Sequence, residues 1–246
     1  MDGIALGLYL SASFVGGVTT GLAGFAMGLV VSGVWLHILT PIQTASLIMG
    51  YALLVQGYGI WKLRHAFDWR QITPFIIGGA IGVPIGTYSL TYIDPAYLRT
   101  GVGILLMLYS VYGIARPTLK PIHAGPLADT TIGFLNGLLG GLTGLAGIVV
   151  VIWCQLHGWS KDVQRAVYQP VIVTAFLVSA VLLGASGAIT SDTVRLYILG
   201  LPMVLAGMWL GMKLYGRLDE AAFRKIILVL LLLSGFFLVV PFSAFR

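Results

Sequence analysis

The chain has 246 residues, of which 58% are hydrophobic and only 9% are charged. Because a soluble domain carries about a quarter charged residues, this composition excludes a soluble globular protein and indicates a polytopic membrane protein. The net charge of +6 comes from basic residues in short connections between apolar stretches, where such residues report membrane orientation rather than binding to nucleic acid. The single cysteine, Cys154, excludes an internal disulfide and a cysteine-based metal cluster.

Apolar stretches occupy almost the whole chain. The opening MDGIALGLYL has no basic residue, unlike a cleaved signal peptide, so we expect it to belong to the mature protein. Eight stretches follow in chain order: 4–40, 42–61, 72–92, 97–115, 130–157, 166–187, 195–212 and 223–240. Most are close to the ~20 residues that cross a bilayer. The longest polar connection, 116–129, is too short for a soluble catalytic domain.

The first stretch is too long for one crossing. Its 37 residues would form a helix of about 55 Å, against a hydrocarbon core of about 30 Å. The natural break is the pentapeptide TGLAG at Thr20–Gly24, because glycine disfavours a helix interior by about 1 kcal/mol relative to alanine. The sequence therefore predicts a helical hairpin with TGLAG at its tip.

The same five letters return at Thr143–Gly147, inside the stretch 130–157. Further matches follow at nearly the same offset of about 123 residues, including Asp94–Arg99 with Asp219–Arg224. The sequence thus predicts two copies of one unit. We expect a first transmembrane repeat at 1–116, a cytoplasmic connection at 117–129 and a second repeat at 130–246.

Each copy contains a hairpin and three further spans, an odd number of crossings beyond the hairpin, so the copies are predicted to be inverted. Basic residues support this, because eleven of the fourteen fall in four loops that this topology places on one side: 62–70, 116–129, 158–165 and 213–225. The positive-inside rule then puts these loops in the cytoplasm and both termini outside. The expected fold is an all-α polytopic membrane protein of two inverted repeats, each a hairpin plus three transmembrane helices.

The paired tips are candidate anion sites. Where the second limb of a hairpin begins, backbone N–H groups lack helical partners and the helix dipole is positive. A threonine there can cap the helix or donate its hydroxyl. The predicted ligands are Thr20, Gly21, Leu22, Ala23, Gly24, Thr143, Gly144, Leu145, Ala146 and Gly147. The alternative is close helix packing, which we favour for the isolated glycines Gly78, Gly82, Gly86, Gly207 and Gly211.

These motifs resemble the TauE/SafE sulfite exporter family. Its glycine-rich signature is matched by GGVTTGLAGFAMG at Gly16–Gly28 and by GLLGGLTGLAGIVV at Gly137–Val150. The resemblance implies transport of sulfur oxyanions: sulfite, thiosulfate, sulfoacetate or other organosulfonates. The glycines that often follow the tip in this family are replaced by Phe25–Met27 and Ile148–Val150, which makes the predicted cavity more apolar and suits an anion with an organic tail.

Few strongly polar residues lie within the spans, so each is a candidate. Gln43 begins a helix, and Gln169 lies deeper beside Pro170; both are predicted ligands, because a carboxamide donates to an anion without adding charge. The alternative for them is hydrogen bonding between helices. Arg165 is expected to be a loop charge that sets orientation. Two histidines, His37 and His157, are expected at the interfaces.

All carboxylates are predicted to lie in loops or at the terminus, which disfavours proton relays, cation transport, metal binding and an enzyme. The residues concerned are Asp2, Asp68, Asp94, Asp129, Asp162, Asp192, Asp219 and Glu220. No cofactor is expected. The predicted function is alternating-access transport of an anion held between the two tips near the midplane of the inner or plasma membrane. A carrier or channel for another small anion, such as a carboxylate, and a non-transporting assembly protein remain open, as does the oligomeric state.

Overall fold

The structure is a computed structural model and describes residues 2–89, 95–115, 121–143, 146–185 and 190–239. These residues form ten α-helices, a short 3₁₀ turn at Arg64–Ala66 and no strand. The helices are α1 (Gly3–Ala23), α2 (Met27–Ile38), α3 (Pro41–Lys62), α4 (Trp69–Ser89), α5 (Pro95–Ala115), α6 (Pro126–Thr143), α7 (Ile148–Leu156), α8 (Lys161–Ala185), α9 (Ser191–Tyr215) and α10 (Glu220–Val239).

Both predicted hairpins form. The first stretch breaks at residues 24–26, between α1 and α2, and its counterpart breaks between α6 and α7. Within the described residues, four helices are long and apolar enough to cross a membrane: α1, α4, the part of α8 at Lys161–Val181, and α9. The prediction of an all-α polytopic membrane protein is confirmed, with each half of the chain ordered as two hairpin limbs followed by three helices.

The helices group into two compact units, of which the first contains Met1–Asp68 and Arg165–Leu218. In this unit α2 folds back along α1, since a Cβ atom at Gly16 would touch Val31, and the rings of Tyr9 and Trp35 stack at 5.2 Å. α1 also packs tightly on α9: a Cβ at Gly207 or Gly211 would collide with α1 backbone carbonyls. The packing interpretation of these two glycines is confirmed.

The second unit contains Trp69–Gln164 and Asp219–Arg246. Here α6 lies against α4 just as closely, because Cβ atoms at Gly78, Gly82 and Gly86 would collide with α6 carbonyls. α10 packs on α5, where a Cβ at Gly235 would approach the carbonyl of Gly103 to 2.5 Å. The packing interpretation holds for the three glycines of α4 as well.

The compact units do not coincide with the sequence repeats. Each unit joins the hairpin of one repeat to a helix of the other, α1 with α9 and α6 with α4. Under the sequence repeat α1 corresponds to α6 and α9 to α4, so the two packings are equivalent. The repeat boundaries and the inversion stay predictions.

Candidate anion site at the first hairpin tip

The first pentapeptide ends α1. Thr20–Ala23 form the last turn of the helix, and Gly24 is its C-cap in the left-handed conformation, with φ 82° and its N–H donating to the carbonyl of Thr20 at 2.7 Å. Only glycine adopts this conformation without steric cost. The N-cap of α2 is Ala26, which makes no side-chain capping bond. Of the two roles predicted for Thr20, capping the second limb is therefore wrong, because Thr20 lies inside the first limb, and donation of its hydroxyl to an anion stays a prediction.

Two side chains of α8 bind the carbonyl end of α1. The guanidinium of Arg165 donates to the carbonyl oxygens of Gly21, at 3.0 Å, and Leu22, at 3.4 Å, and lies over the ring of Tyr215 at 4.4 Å. The hydroxyl of Tyr168 donates to the carbonyl oxygen of Ala23. The C-terminus of a helix carries partial negative charge, so a cation at this position stabilises the tip.

Arg165 is not the loop residue that was predicted. It lies in α8, four residues after the helix begins at Lys161, and is fully buried. The missed signal is the spacing of Arg165, Tyr168 and Gln169, at i, i+3 and i+4, which places all three on one helix face. Because a helix start is uncertain in sequence by a few residues, the arginine was assigned to the preceding loop.

The amide of Gln169 lies between two glycines of the same unit. A Cβ atom at Gly24 would lie 3.0 Å from Nε2, and one at Gly59 on α3 would lie 2.6 Å from Nε2 and 2.9 Å from Oε1. The side chain is fully buried, yet neither amide atom has a hydrogen-bond partner among the described residues. Since buried polar atoms in native proteins are almost always paired, the amide of Gln169 is a candidate group for binding a ligand.

Two more buried side chains, those of Gln56 and Thr20, have polar atoms without a hydrogen-bond partner among the described residues. Gln56 precedes Gly59 by three residues on α3, so both lie on one helix face, and its amide atoms have no partner within the described part of the chain. The hydroxyl of Thr20 is likewise buried and unpaired there. We name these residues the first-tip cluster: Thr20, Gly24, Gln56, Arg165, Tyr168 and Gln169. Its amides and hydroxyls are neutral donors, and its one formal charge is positive.

The second tip is held by a different contact, a hydrogen bond within its own hairpin. Gly147 is left-handed, with φ 107°, and is the N-cap of α7; its N–H donates to Oδ1 of Asn136 on α6 at 3.0 Å. Asn136 is buried, and its Nδ2 has no partner among the residues described. Of the other predicted ligands, Ala146 lies in the turn, whereas Gly144, Leu145 and the side chain of Thr143 lie outside the described residues.

The sequence of this chain matches a known protein family. The family described as sulfite exporter TauE/SafE matches residues 9–238. The chain belongs to the TauE/SafE family. A curated relative, "Probable inner membrane transporter protein TsaS" of Comamonas testosteroni, is 27% identical over 175 residues, which cover 68% of this chain and 70% of the relative. No solved structure matches. The predicted resemblance is confirmed, and this TauE/SafE protein is a multi-pass membrane transporter.

Not every predicted ligand of this TauE/SafE transporter reaches the first tip. Gln43 forms a capping box at the start of α3, where its Oε1 accepts from the N–H of Thr40 at 3.2 Å. It lies sixteen residues before Gly59, about 24 Å along the helix. Its amide oxygen is already bound there, because in a Thr-x-x-Gln capping box each of the two side chains accepts from the other residue's backbone N–H. Gly21 does lie at the first tip, but its Cα packs on α9, where a Cβ atom would approach the carbonyl of Met208 to 2.7 Å, and its carbonyl is bound by Arg165.

The backbone donors of the tip glycines are also occupied. The N–H of Gly24 is bound by Thr20 and that of Gly147 by Asn136. Neither group is free to bind an anion in this conformation. Three side chains of the first-tip cluster, those of Thr20, Gln56 and Gln169, are therefore stronger candidates for anion ligands than the N–H groups of these two glycines.

Four carboxylates predicted in loops lie instead in first helical turns: Asp129 in α6, Asp162 in α8, Asp192 in α9 and Glu220 in α10. The prediction of loop positions is wrong for these four. Their placement follows from the positive end of the helix dipole, which favours an anionic side chain. Asp129 also accepts a hydrogen bond from the indole of Trp153 at 2.8 Å. Asp94 lies outside the described residues.

Proposed function

We propose that this TauE/SafE family protein transports a sulfur-containing oxyanion by alternating access, and that the anion binds at the first-tip cluster. The substrate class is sulfite, thiosulfate, sulfoacetate or another organosulfonate. The observation that carries the proposal is the amide of Gln169, which is fully buried beside Gly24 and Gly59 without a hydrogen-bond partner among the described residues. Leaving such a group unpaired costs about 1–3 kcal/mol, and an oxyanion accepting from Nε2 would recover this cost.

The chemistry of the cluster suits a sulfur oxyanion. Such an anion has several oxygens that accept hydrogen bonds, and Gln56, Gln169 and Thr20 offer amide and hydroxyl donors without a competing carboxylate among their described contacts. The buried guanidinium of Arg165 lies one helical turn from Gln169. Its field favours a negative ligand, because charges interact more strongly in a low-dielectric interior.

The depth of Gln169 agrees with a central binding site. It lies eight residues after Lys161, about 12 Å along α8, compared with about 15 Å from the edge to the middle of the hydrocarbon core. Transporters built from inverted repeats bind substrate near this level. The predicted arrangement in which both tips surround one anion stays a prediction.

The direction of transport is inferred from the positions of the basic residues and from the membrane potential. With the basic loops in the cytoplasm of an inner or plasma membrane and both termini outside, as the positive-inside rule predicts, the potential favours outward movement of an anion by about 2.3 kcal/mol per elementary charge per 100 mV. We therefore propose export driven by the membrane potential. Export that persists when the potential is clamped to zero at equal anion concentrations would contradict this.

Thermal unfolding of the purified protein tests the binding site. Ligands that bind only the folded state raise its apparent stability, so we expect sulfite, thiosulfate or sulfoacetate to raise the melting temperature in detergent, whereas acetate and chloride do so less. Gln169→Leu should abolish the response. Ser46→Ala is the matched control, because Ser46 is also unpaired within the described residues but lies on α3 about 15 Å from Gln56.

Each outcome discriminates between functions. Stabilisation by acetate above all sulfur anions would favour a carboxylate carrier. A response that survives Gln169→Leu unchanged would remove the first-tip cluster as the site. No response to any anion, together with no anion flux in proteoliposomes, would favour a non-transporting assembly protein.

A further inference from the structure

The carbonyl end of α1 is of a kind that binds a cation in some transporters with broken helices. The last carbonyls of a helix have no helical partner and carry partial negative charge. In transporters with broken helices, such carbonyls coordinate the coupling sodium ion. In this protein, the carbonyls of Gly21 and Leu22 accept instead from the guanidinium of Arg165, and that of Ala23 accepts from Tyr168.

The same helix face carries the proposed anion ligand. Tyr168 and Gln169 follow Arg165 on α8, and a Cβ atom at Gly24 would touch both, at 3.1 Å from the tyrosine hydroxyl and 3.0 Å from the amide Nε2. The guanidinium, the phenol and the amide therefore form one row along α8, in which the first two groups bind the carbonyl end of α1 and the third is the proposed anion ligand.

The charge in this row is permanent. A guanidinium does not lose its proton in proteins, and Arg165 is completely buried. Its Nη2 lies 3.5 Å from the sulfur of Met212, and its central carbon lies over the ring of Tyr215 at 4.4 Å from the centroid, so two of its contacts on α9 are with uncharged side chains. Placing an ionisable group within a transmembrane span costs free energy, and a residue kept there is typically functional.

We propose that Arg165 is the fixed cation of the transport site: it occupies the carbonyls that would otherwise hold a coupling sodium ion and supplies the positive charge that an anion at Gln169 needs. This inference rests on the proposed function. Arg165 acts through its field and through the position of the tip, without touching the anion, and is a positioning residue. Anion binding is then independent of sodium.

The test measures sulfite and thiosulfate binding to the full-length protein in sodium, potassium and choline chloride. For the wild type we expect the same dissociation constant in all three salts. Arg165→Lys keeps the charge but loses the planar group that binds two carbonyls and stacks on Tyr215, so its affinity should lie between those of the wild type and Arg165→Met. Arg165→Met keeps the aliphatic length without the charge and should bind at least tenfold more weakly.

Tyr168→Phe is the matched control. It removes the other bond to the carbonyl end of α1 and leaves the charge in place, so it should weaken binding much less than Arg165→Met. Equal losses in these two variants would show that tip geometry rather than charge matters, and would overturn the inference. So would a sodium requirement in the wild type, a measurement that needs no variant to fold. If the wild type binds neither anion in any salt, the proposed function itself fails.

Discussion

The two hairpin tips have identical sequences and different surroundings. In both, the last glycine of TGLAG is left-handed, at Gly24 and at Gly147. At the first tip this glycine is the C-cap of α1, and the carbonyls before it are bound from α8, 144 residues further along the chain. At the second tip it is the N-cap of α7, and its N–H is bound by Asn136, only eleven residues before it.

The comparison separates two roles of one motif. The pentapeptide determines where each helix breaks, because its final glycine takes a conformation that other residues avoid. The residues packed around it determine what the tip can bind. The first tip lies beside a guanidinium and the amide of Gln169, which has no partner among the described residues, whereas at the second tip Asn136 of the hairpin's own first limb accepts from the N–H of Gly147. We therefore expect substitutions at the first tip to affect anion binding most, and those at the second to affect stability.

The largest effect is expected from Gly24→Val. A β-branched residue is a strong outlier at φ 82°, and its side chain would occupy the space between Tyr168 and Gln169. We expect loss of anion flux in proteoliposomes to the level of empty vesicles. Gly7→Val in the same helix is the control, because nothing lies within 4 Å of a Cβ atom there; equal loss in both variants would count against a special role of Gly24.

A large effect on stability is expected from Asn136→Leu at the second tip. This change removes the acceptor of the Gly147 N–H and leaves a buried donor unpaired, a cost of about 1–3 kcal/mol. The melting temperature should fall, whereas the sulfite dissociation constant should change by less than about threefold. A variant with normal stability and weak binding would show that the second tip is also a ligand-binding site.

Much of the fold could be predicted from the sequence. The length of the first stretch and the glycines of TGLAG predicted both hairpins, and the isolated glycines Gly78, Gly82 and Gly86 were predicted to allow close helix packing. These features depend on local backbone properties and on side-chain size, which are visible in a single sequence.

The site could be predicted only in part. Gln169 was identified because it is a polar residue in an apolar stretch, but Arg165 was missed because its burial depends on α1 ending beside it, a long-range contact. Gln43 was wrongly assigned to the binding site, although the Thr-x-x-Gln pattern at Thr40–Gln43 indicates a capping box. Sequence spacing shows which residues share a helix face, and it does not show which helix lies opposite.

The smallest effect is expected from Thr20→Val. The hydroxyl of Thr20 is buried and unpaired within the described residues, so replacing it by a methyl group should leave the free energy of unfolding unchanged or slightly raise it. If the hydroxyl donates to the anion, affinity should fall by a factor of about ten, the worth of one hydrogen bond to a charged group. Calorimetric titration with thiosulfate measures this. An unchanged affinity would restrict the ligands to the two amides.

The most direct test of the account is the experimental structure of the protein with thiosulfate bound. We expect density for the anion in the first unit, with an oxygen about 3 Å from Nε2 of Gln169 and with Arg165 still bound to the carbonyls of Gly21 and Leu22. Density for the anion elsewhere, with the amide of Gln169 paired to protein atoms, would contradict the assignment of the first-tip cluster as the transport site.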